Sequence, residues 1–157
     1  MDFAEYVKLS WIDIFNMIDD DVDKYNYVTA LRGYDCSQNY LKVIFSGIIR
    51  GRIIRAVGIG DFVELFMEIE TKDIVTELMY EIDEEIKNGR IYALIHYINH
   101  VCKALEIIYR VTKCEIVAKV KHLADIILKY ILTGHSYIGE IYNIVNAIKK
   151  EMNTCGI

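Results

Sequence analysis

The sequence predicts an all-α fold: a globular bundle of about seven or eight helices around a buried central hairpin. Three observations carry that expectation. Proline is absent from the 157 residues and glycine occurs only nine times, so little interrupts long helices. Apolar residues recur three and four apart almost everywhere, the period of a helix with one buried face. One stretch, Ile91 to Ile98, is apolar on every side except at His96, and such a helix belongs inside a fold, wrapped by others.

Taken in order, the first element is a helix from Asp2 to Ile18, striped by Val7, Trp11, Ile14 and Ile18. It runs into the sequence DDDVD, whose Asp19, Asp21 and Asp23 have the opening spacing of a calcium loop. That loop needs Gly at its sixth position and Glu at its twelfth, where this chain has Lys24 and Ala30. A solvated acidic turn is the reading. Tyr25 to Ser37 is less regular, with room for one short helix before a loop at Gly33. A second helix spans about Asn39 to Val57, with Leu41, Ile44, Ile48 and Ile49 inward and Arg50, Arg52 and Arg55 on a solvated face.

Gly58-Ile59-Gly60 then breaks the chain as a hinge. No strand precedes it and no Lys-Ser/Thr pair follows, so it is no phosphate loop. Asp61 caps a short helix over Phe62 to Ile69, and Thr71 starts another through Glu85, as Ser, Thr and Asp favour helix starts. Ile74, Val75, Leu78, Met79, Ile82 and Ile86 fall on one side of the latter. The central helix runs from Asn88 to about Tyr109. Thr112 opens the next, to about Leu132, striped by Ile116, Val120, Leu123, Ile127 and Ile131. Gly134-His135-Ser136 turns the chain, and Tyr137 to Met152 closes it with Ile138, Ile141, Val145 and Ile148. With no internal repeat or low-complexity linker, residues 1–157 read as one domain.

Hydrophobic residues make up 54% and mean hydropathy is +0.20, high for a soluble domain. That much apolar material fills a very buried helix or leaves an apolar surface for a partner. Eighteen bases against 23 acids give a net charge of −5, which argues against a general nucleic-acid binder. The segment from Asp61 to Arg90 alone holds ten acids against three bases. The opening, MDFAEYVKLSWIDIF, is acidic and amphipathic, unlike a signal peptide. No run of about 20 apolar residues would span a membrane, and the polar tail KKEMNTCGI is no C-terminal anchor. Cys36, Cys102, Cys114 and Cys155 have no paired short spacing, so a reduced, cytoplasmic chain is expected. Cys102 reads as a small core residue, and Cys155 as the one thiol placed to cross-link two chains.

His96 and His100 share a helix face four residues apart. No third ligand lies at a telling distance, so a hydrogen-bonded pair is expected and no metal, cofactor or catalytic set. The turn Asn88-Gly89-Arg90 is more informative. Asn88 at a helix start caps free N–H groups, and Gly89 permits a close backbone approach or an unusual dihedral. Arg90 offers a fixed charge and a planar fork of donors for a carboxylate, beside the positive end of the helix dipole. Those groups make either an anion-recognition point or an internal salt bridge to a local acid such as Glu85.

Read with its approach, IVTELMYEIDEEIKNGRIYALIHYI resembles the first homology motif of the B-cell lymphoma-2 family of apoptosis regulators. That motif has a Val-x-Glu-Leu-Phe helix, then Asn-Trp-Gly-Arg, then an apolar central helix. Ile74-Val75-Thr76-Glu77-Leu78-Met79 matches its first part and Gly89-Arg90-Ile91 its second. The chain departs in lacking the Trp, in a longer link between the parts, and in having Ile98-Asn99 where the family has paired glycines. Gly60-Asp61-Phe62 after Arg55-Ala56-Val57, with Phe66 four beyond Phe62, resembles the third homology motif. Tyr130-Ile131, with Ser136-Tyr137 beyond, resembles the second.

The resemblance implies a divergent, viral, anti-apoptotic member without a membrane anchor, in the host cytoplasm. Its hydrophobic groove would take the amphipathic death-motif helix of pro-apoptotic family proteins. Carried over by position, Arg90 would pair with an aspartate of that helix, with Asn88 and Gly89 beside it. Phe62, Phe66, Ile74, Leu78, Ala93 and Tyr97 would line the groove. The alternative keeps the fold for another task, as a viral inhibitor of immune signalling or a self-associating scaffold whose groove a second copy covers.

Overall fold

Residues 1–32, 39–50 and 62–154, which the computed structural model describes, form nine helices and no strand. These are α1 Phe3–Tyr6, α2 Trp11–Met17, α3 Asp21–Arg32, α4 Tyr40–Ile49 and α5 Phe62–Glu68. Four longer ones follow: α6 Thr71–Lys87, α7 Ile91–Thr112, α8 Glu115–Thr133 and α9 Ile138–Thr154. The predicted all-α bundle is what the chain forms. The Gly58-Ile59-Gly60 hinge, Asp61, Arg52, Arg55, Cys36 and Cys155 lie outside the described residues. Among the described residues no helix is long and apolar enough to cross a membrane.

Helices α7 and α8 form the long hairpin of the bundle, with α9 along α8 and α3 along α7. Helix α4 packs against α3, α5, α6, α7 and α8, and none of its ten residues is exposed. It is the wrapped helix of this fold. A helix so enclosed cannot leave its terminal N–H and C=O groups to water, and other elements supply the partners. At its N-terminus the Glu81 carboxylate of α6 accepts from the amides of Tyr40 (2.9 Å) and Leu41 (3.0 Å). The Asn39 side chain accepts from the Lys42 amide at 2.9 Å. At its C-terminus the buried hydroxyls of Tyr6 and Tyr27 donate to the carbonyls of Ile48 and Ile49. Burial raises the ionisation of both phenols well above the ordinary range, which keeps them neutral donors. A Cβ on Gly47 would lie 3.0 Å from the Phe62 Cβ, so glycine is what lets α5 close onto α4.

Other predictions are corrected. The first helix is two, because Ser10 and Asp13 form a capping box (Ser10 N to Asp13 Oδ2 2.8 Å, Asp13 N to Ser10 Oγ 3.2 Å). That box starts a new helix where a continuous one was expected. The stripe changes too: Phe3, Tyr6, Ile14 and Ile18 are buried, whereas Trp11 is 44% exposed. The acidic turn leads into α3, and residues 25–32 of the irregular stretch are its body, while the Gly33 loop lies outside the described residues. The Asp20 carboxylate accepts from the Asp23 amide at 2.9 Å, and Asp23 holds Arg110 of α7 at 2.8 Å. Thr112 ends α7 rather than opening α8; its hydroxyl donates back to the Ile108 carbonyl at 2.7 Å. Lys113, in the left-handed region at φ 54°, then turns the chain into α8.

The stretch Ile91 to Ile98 is not wrapped on every side. Tyr92 is 84% exposed, and Ala93, His96 and Asn99 also face solvent. Lys103, Glu106 and Arg110 continue that face to the end of α7. Leu94, Tyr97, Ile98, Val101, Leu105 and Ile108 carry its buried side.

Candidate functional site

The corner between α6 and α7 is built by backbone geometry. Gly89 sits at φ 76°, a conformation that an L side chain adopts at a cost. Its amide donates to the Ile86 carbonyl at 3.1 Å and the Arg90 amide to the Glu85 carbonyl at 2.9 Å. These two bonds are a Schellman closure of a helix end. Asn88 is therefore the C-terminal cap of α6, not the N-terminal cap of the central helix; α6 ends at Lys87, two residues later than expected. A Cβ at Gly89 would meet nothing within 4 Å, so its dihedral explains this glycine and a close approach does not.

Arg90 precedes α7 at the N-cap position. Its guanidinium forks onto Glu85, with Nε to Oε2 at 2.8 Å and Nη2 to Oε1 at 3.0 Å. The internal salt bridge is thus the arrangement present, at a site where the Arg90 side chain is 52% exposed. A pair so wetted contributes about 0–1 kcal/mol.

One turn on, Ala93 and Tyr97 enter a cleft of about 340 Å³ between α3 and α7. Ala30 and Val101 add apolar floor, and Arg32 stands at the α3 side. His96 and His100 form the other wall, their Nε2 atoms 3.1 Å apart and their rings edge-to-face at 4.4 Å. One ring donates to the other, the hydrogen-bonded pair expected from their spacing. Burial lowers the His100 pKa, with the neighbouring His96 and Lys103 charges adding to the effect. Among the described residues no group of three or more His, Cys, Asp and Glu side chains is placed to hold a metal.

The other four groove residues lie elsewhere. Phe62, Phe66, Ile74 and Leu78 are fully buried core, where α5 and α6 pack on α4 and α9. The Phe62 and Phe66 rings meet at a tilt with centroids 4.8 Å apart, and Phe62 also meets Phe3 at 6.1 Å. The structure thus brings Ala93 and Tyr97 into one open cleft, with Arg90 a turn before them, and puts the four aromatic and aliphatic residues of α5 and α6 inside. Ala30 and Arg32 were missed because α3 lacks a clear apolar stripe: only Tyr27 and Ala30 are buried in it. The signal that would have found it is the acidic run itself, read as a helix cap with acids in the first turn.

Cys102 is half-buried, with Sγ 3.3 Å from Asp125 Oδ1. Burial, reinforced by the Asp125 charge, pushes its thiol up to about 12, so it is a poor nucleophile. Tyr130, in the second-motif echo, donates to Asp83 at 2.6 Å and ties α8 to α6.

No protein-family model, curated protein or solved structure matches the chain.

Proposed function

We propose that this chain is a non-enzymatic binding domain that captures an amphipathic helix of a partner protein along the first half of α7. The partner class is the one that the motif resemblance implies, the death-motif helix of pro-apoptotic proteins, whose sequestration restrains cell death. One observation carries the reading. Arg90, Ala93 and Tyr97 stand on successive turns at one side of α7, the latter two in an open cleft and Arg90 half-exposed. Apolar anchors of a ligand helix would enter the cleft, and a ligand carboxylate would compete with Glu85 for the Arg90 fork.

Calorimetry with a panel of death-motif peptides tests this. Saturable binding is expected, and Ala93→Glu, at an exposed position, is expected to abolish it while circular dichroism stays unchanged. No heat from any peptide at micromolar concentration, or unaltered binding by the variant, would sink it.

A second reading is favoured by the complete burial of Phe62, Phe66, Ile74 and Leu78. A ligand reaching those four must first open the core, so the same fold would serve better as an immune-signalling inhibitor or self-associating scaffold working through another surface. Sedimentation with and without peptide separates the two: a dimer that peptide leaves intact favours this reading.

A further inference from the structure

Next to the Ala93 cleft, with Arg32 on the rim of both, a larger cleft of about 550 Å³ opens between α2, α3 and the end of α4. We infer that it is a second docking site, for an acidic amphipathic helix of a partner protein. This goes beyond the α7 reading and does not depend on it.

Its apolar lining comes from Trp11, Ile12, Val28 and Leu31. Trp11 and Ile12 are adjacent at the start of α2 and are 44% and 51% exposed. Large neighbouring side chains left in water like this, beside a concave surface, mark an interaction face. Arg32 and Arg50 complete the lining. The other described arginines are engaged, Arg90 with Glu85 and Arg110 with Asp23 and Glu106. Arg32 and Arg50 make no ion pair with any described residue. Each stands at the C-terminal end of its helix, where the dipole favours a cation, and each carries a planar fork of donors that suits a carboxylate.

Charge chooses the occupant. The chain carries a net −5, so an acidic ligand is repelled by the molecule as a whole and drawn only where local cations outweigh that field. Two guanidinium groups flanking an apolar floor match a helix with aliphatic or aromatic anchors on one side and carboxylates along its edges. A basic partner would find the general field favourable and this cleft hostile.

The chain's sole tryptophan is Trp11, so intrinsic emission reports on this cleft. The test titrates the full chain with a synthetic peptide of about four helical turns, leucines on one face and glutamates on the other. A saturable blue shift is expected, weakened by added salt and retained in Ala93→Glu, which separates this site from the α7 cleft. Arg50→Glu should weaken binding about tenfold, the scale of one charge-assisted bond. A peptide with lysine for every glutamate should leave wild-type emission unmoved and bind Arg50→Glu better than the acidic one does. Ile12→Glu, at a more exposed position, should also abolish the acidic peptide's effect. Three results overturn the inference. They are no saturable shift, an equal response to the lysine peptide in the wild type, or a shift driven by protein concentration alone with a dimer in sedimentation, which would make a second copy the occupant.

Discussion

Helices α4 and α7 read alike in a short window, both dense in isoleucine, leucine and aromatic residues, yet the fold treats them oppositely. Helix α4 has no exposed residue, and α7 keeps a wet face from Tyr92 to Arg110. The difference lies in polar groups rather than in hydrophobicity. Both ends of α4 receive side-chain partners from elsewhere in the chain: Glu81 and Asn39 at its start, Tyr6 and Tyr27 at its finish. A helix is enclosed only when such groups replace water. In α7 the series His96, Asn99, Lys103, Glu106 and Arg110 needs solvent, and extending its spacing backwards exposes Tyr92 and Ala93 as well.

The sharpest way to break this comparison is to truncate one large side chain in each helix. Phe45 of α4 is fully buried and Tyr92 of α7 is 84% exposed. Phe45→Ala should cost about 3–5 kcal/mol, the lost transfer plus the cavity left behind. Tyr92→Ala should stay within about 0.5 kcal/mol of wild type. Urea denaturation measures both, and comparable losses would show that α4 is not the structural centre.

The cap on α4 gives a smaller and more diagnostic effect. Removing the buried Glu81 side chain, 8% exposed, strands two amides in the interior, so Glu81→Ala should cost about 2–3 kcal/mol. Burial raises the Glu81 carboxyl from 4.5 to about 7, with Glu77 adding to the rise and the Tyr40 and Leu41 amides opposing it. In the unfolded chain the group ionises near its ordinary value, while the fold holds the proton longer. Between those two values the folded state binds more protons, so stability falls as pH rises from 4.5 towards about 7 and levels off above. Thermal melts across that window should show the decline in the wild type and a flatter profile in Glu81→Gln. An identical slope in the variant would place the titrating group elsewhere.

The same contrast explains what could be read from the sequence. The helices α5 to α9 were legible because their apolar stripes are long and regular, and their breaks fall at Gly89, Gly134 and near Thr112. The partition of α1 from α2 was not, because Ser10 is neutral within a helix pattern until Asp13 is recognised as the other half of its box. Helix α3 hid because tyrosines and polar residues do most of its work, Tyr27 through a hydroxyl rather than an apolar stripe. The candidate site was half legible. Position along α7 places Arg90, Ala93 and Tyr97 on one side, but Phe62, Phe66, Ile74 and Leu78 face whatever packs on α5 and α6. That depends on α4 and α9, which no local spacing reveals.

The smallest expected effect on stability is also the most informative about ligand capture. Arg90→Ala removes a half-exposed fork from Glu85, a change worth about 0–1 kcal/mol to the fold. If the side chain serves only that pair, peptide affinity will track the unchanged stability and stay at the wild-type value. If a ligand carboxylate displaces Glu85 at the binding step, the variant loses that contact and binds at least several-fold more weakly, as a charge-assisted bond of ~1.5–3 kcal/mol offset by the broken internal pair requires. Glu85→Gln sharpens the distinction. It removes the charge of the Glu85 competitor, so capture through Arg90 predicts tighter peptide binding in this variant, whereas a purely structural pair predicts no gain. Calorimetry on the two variants side by side therefore reads the corner between α6 and α7 as a ligand contact or as a helix joint.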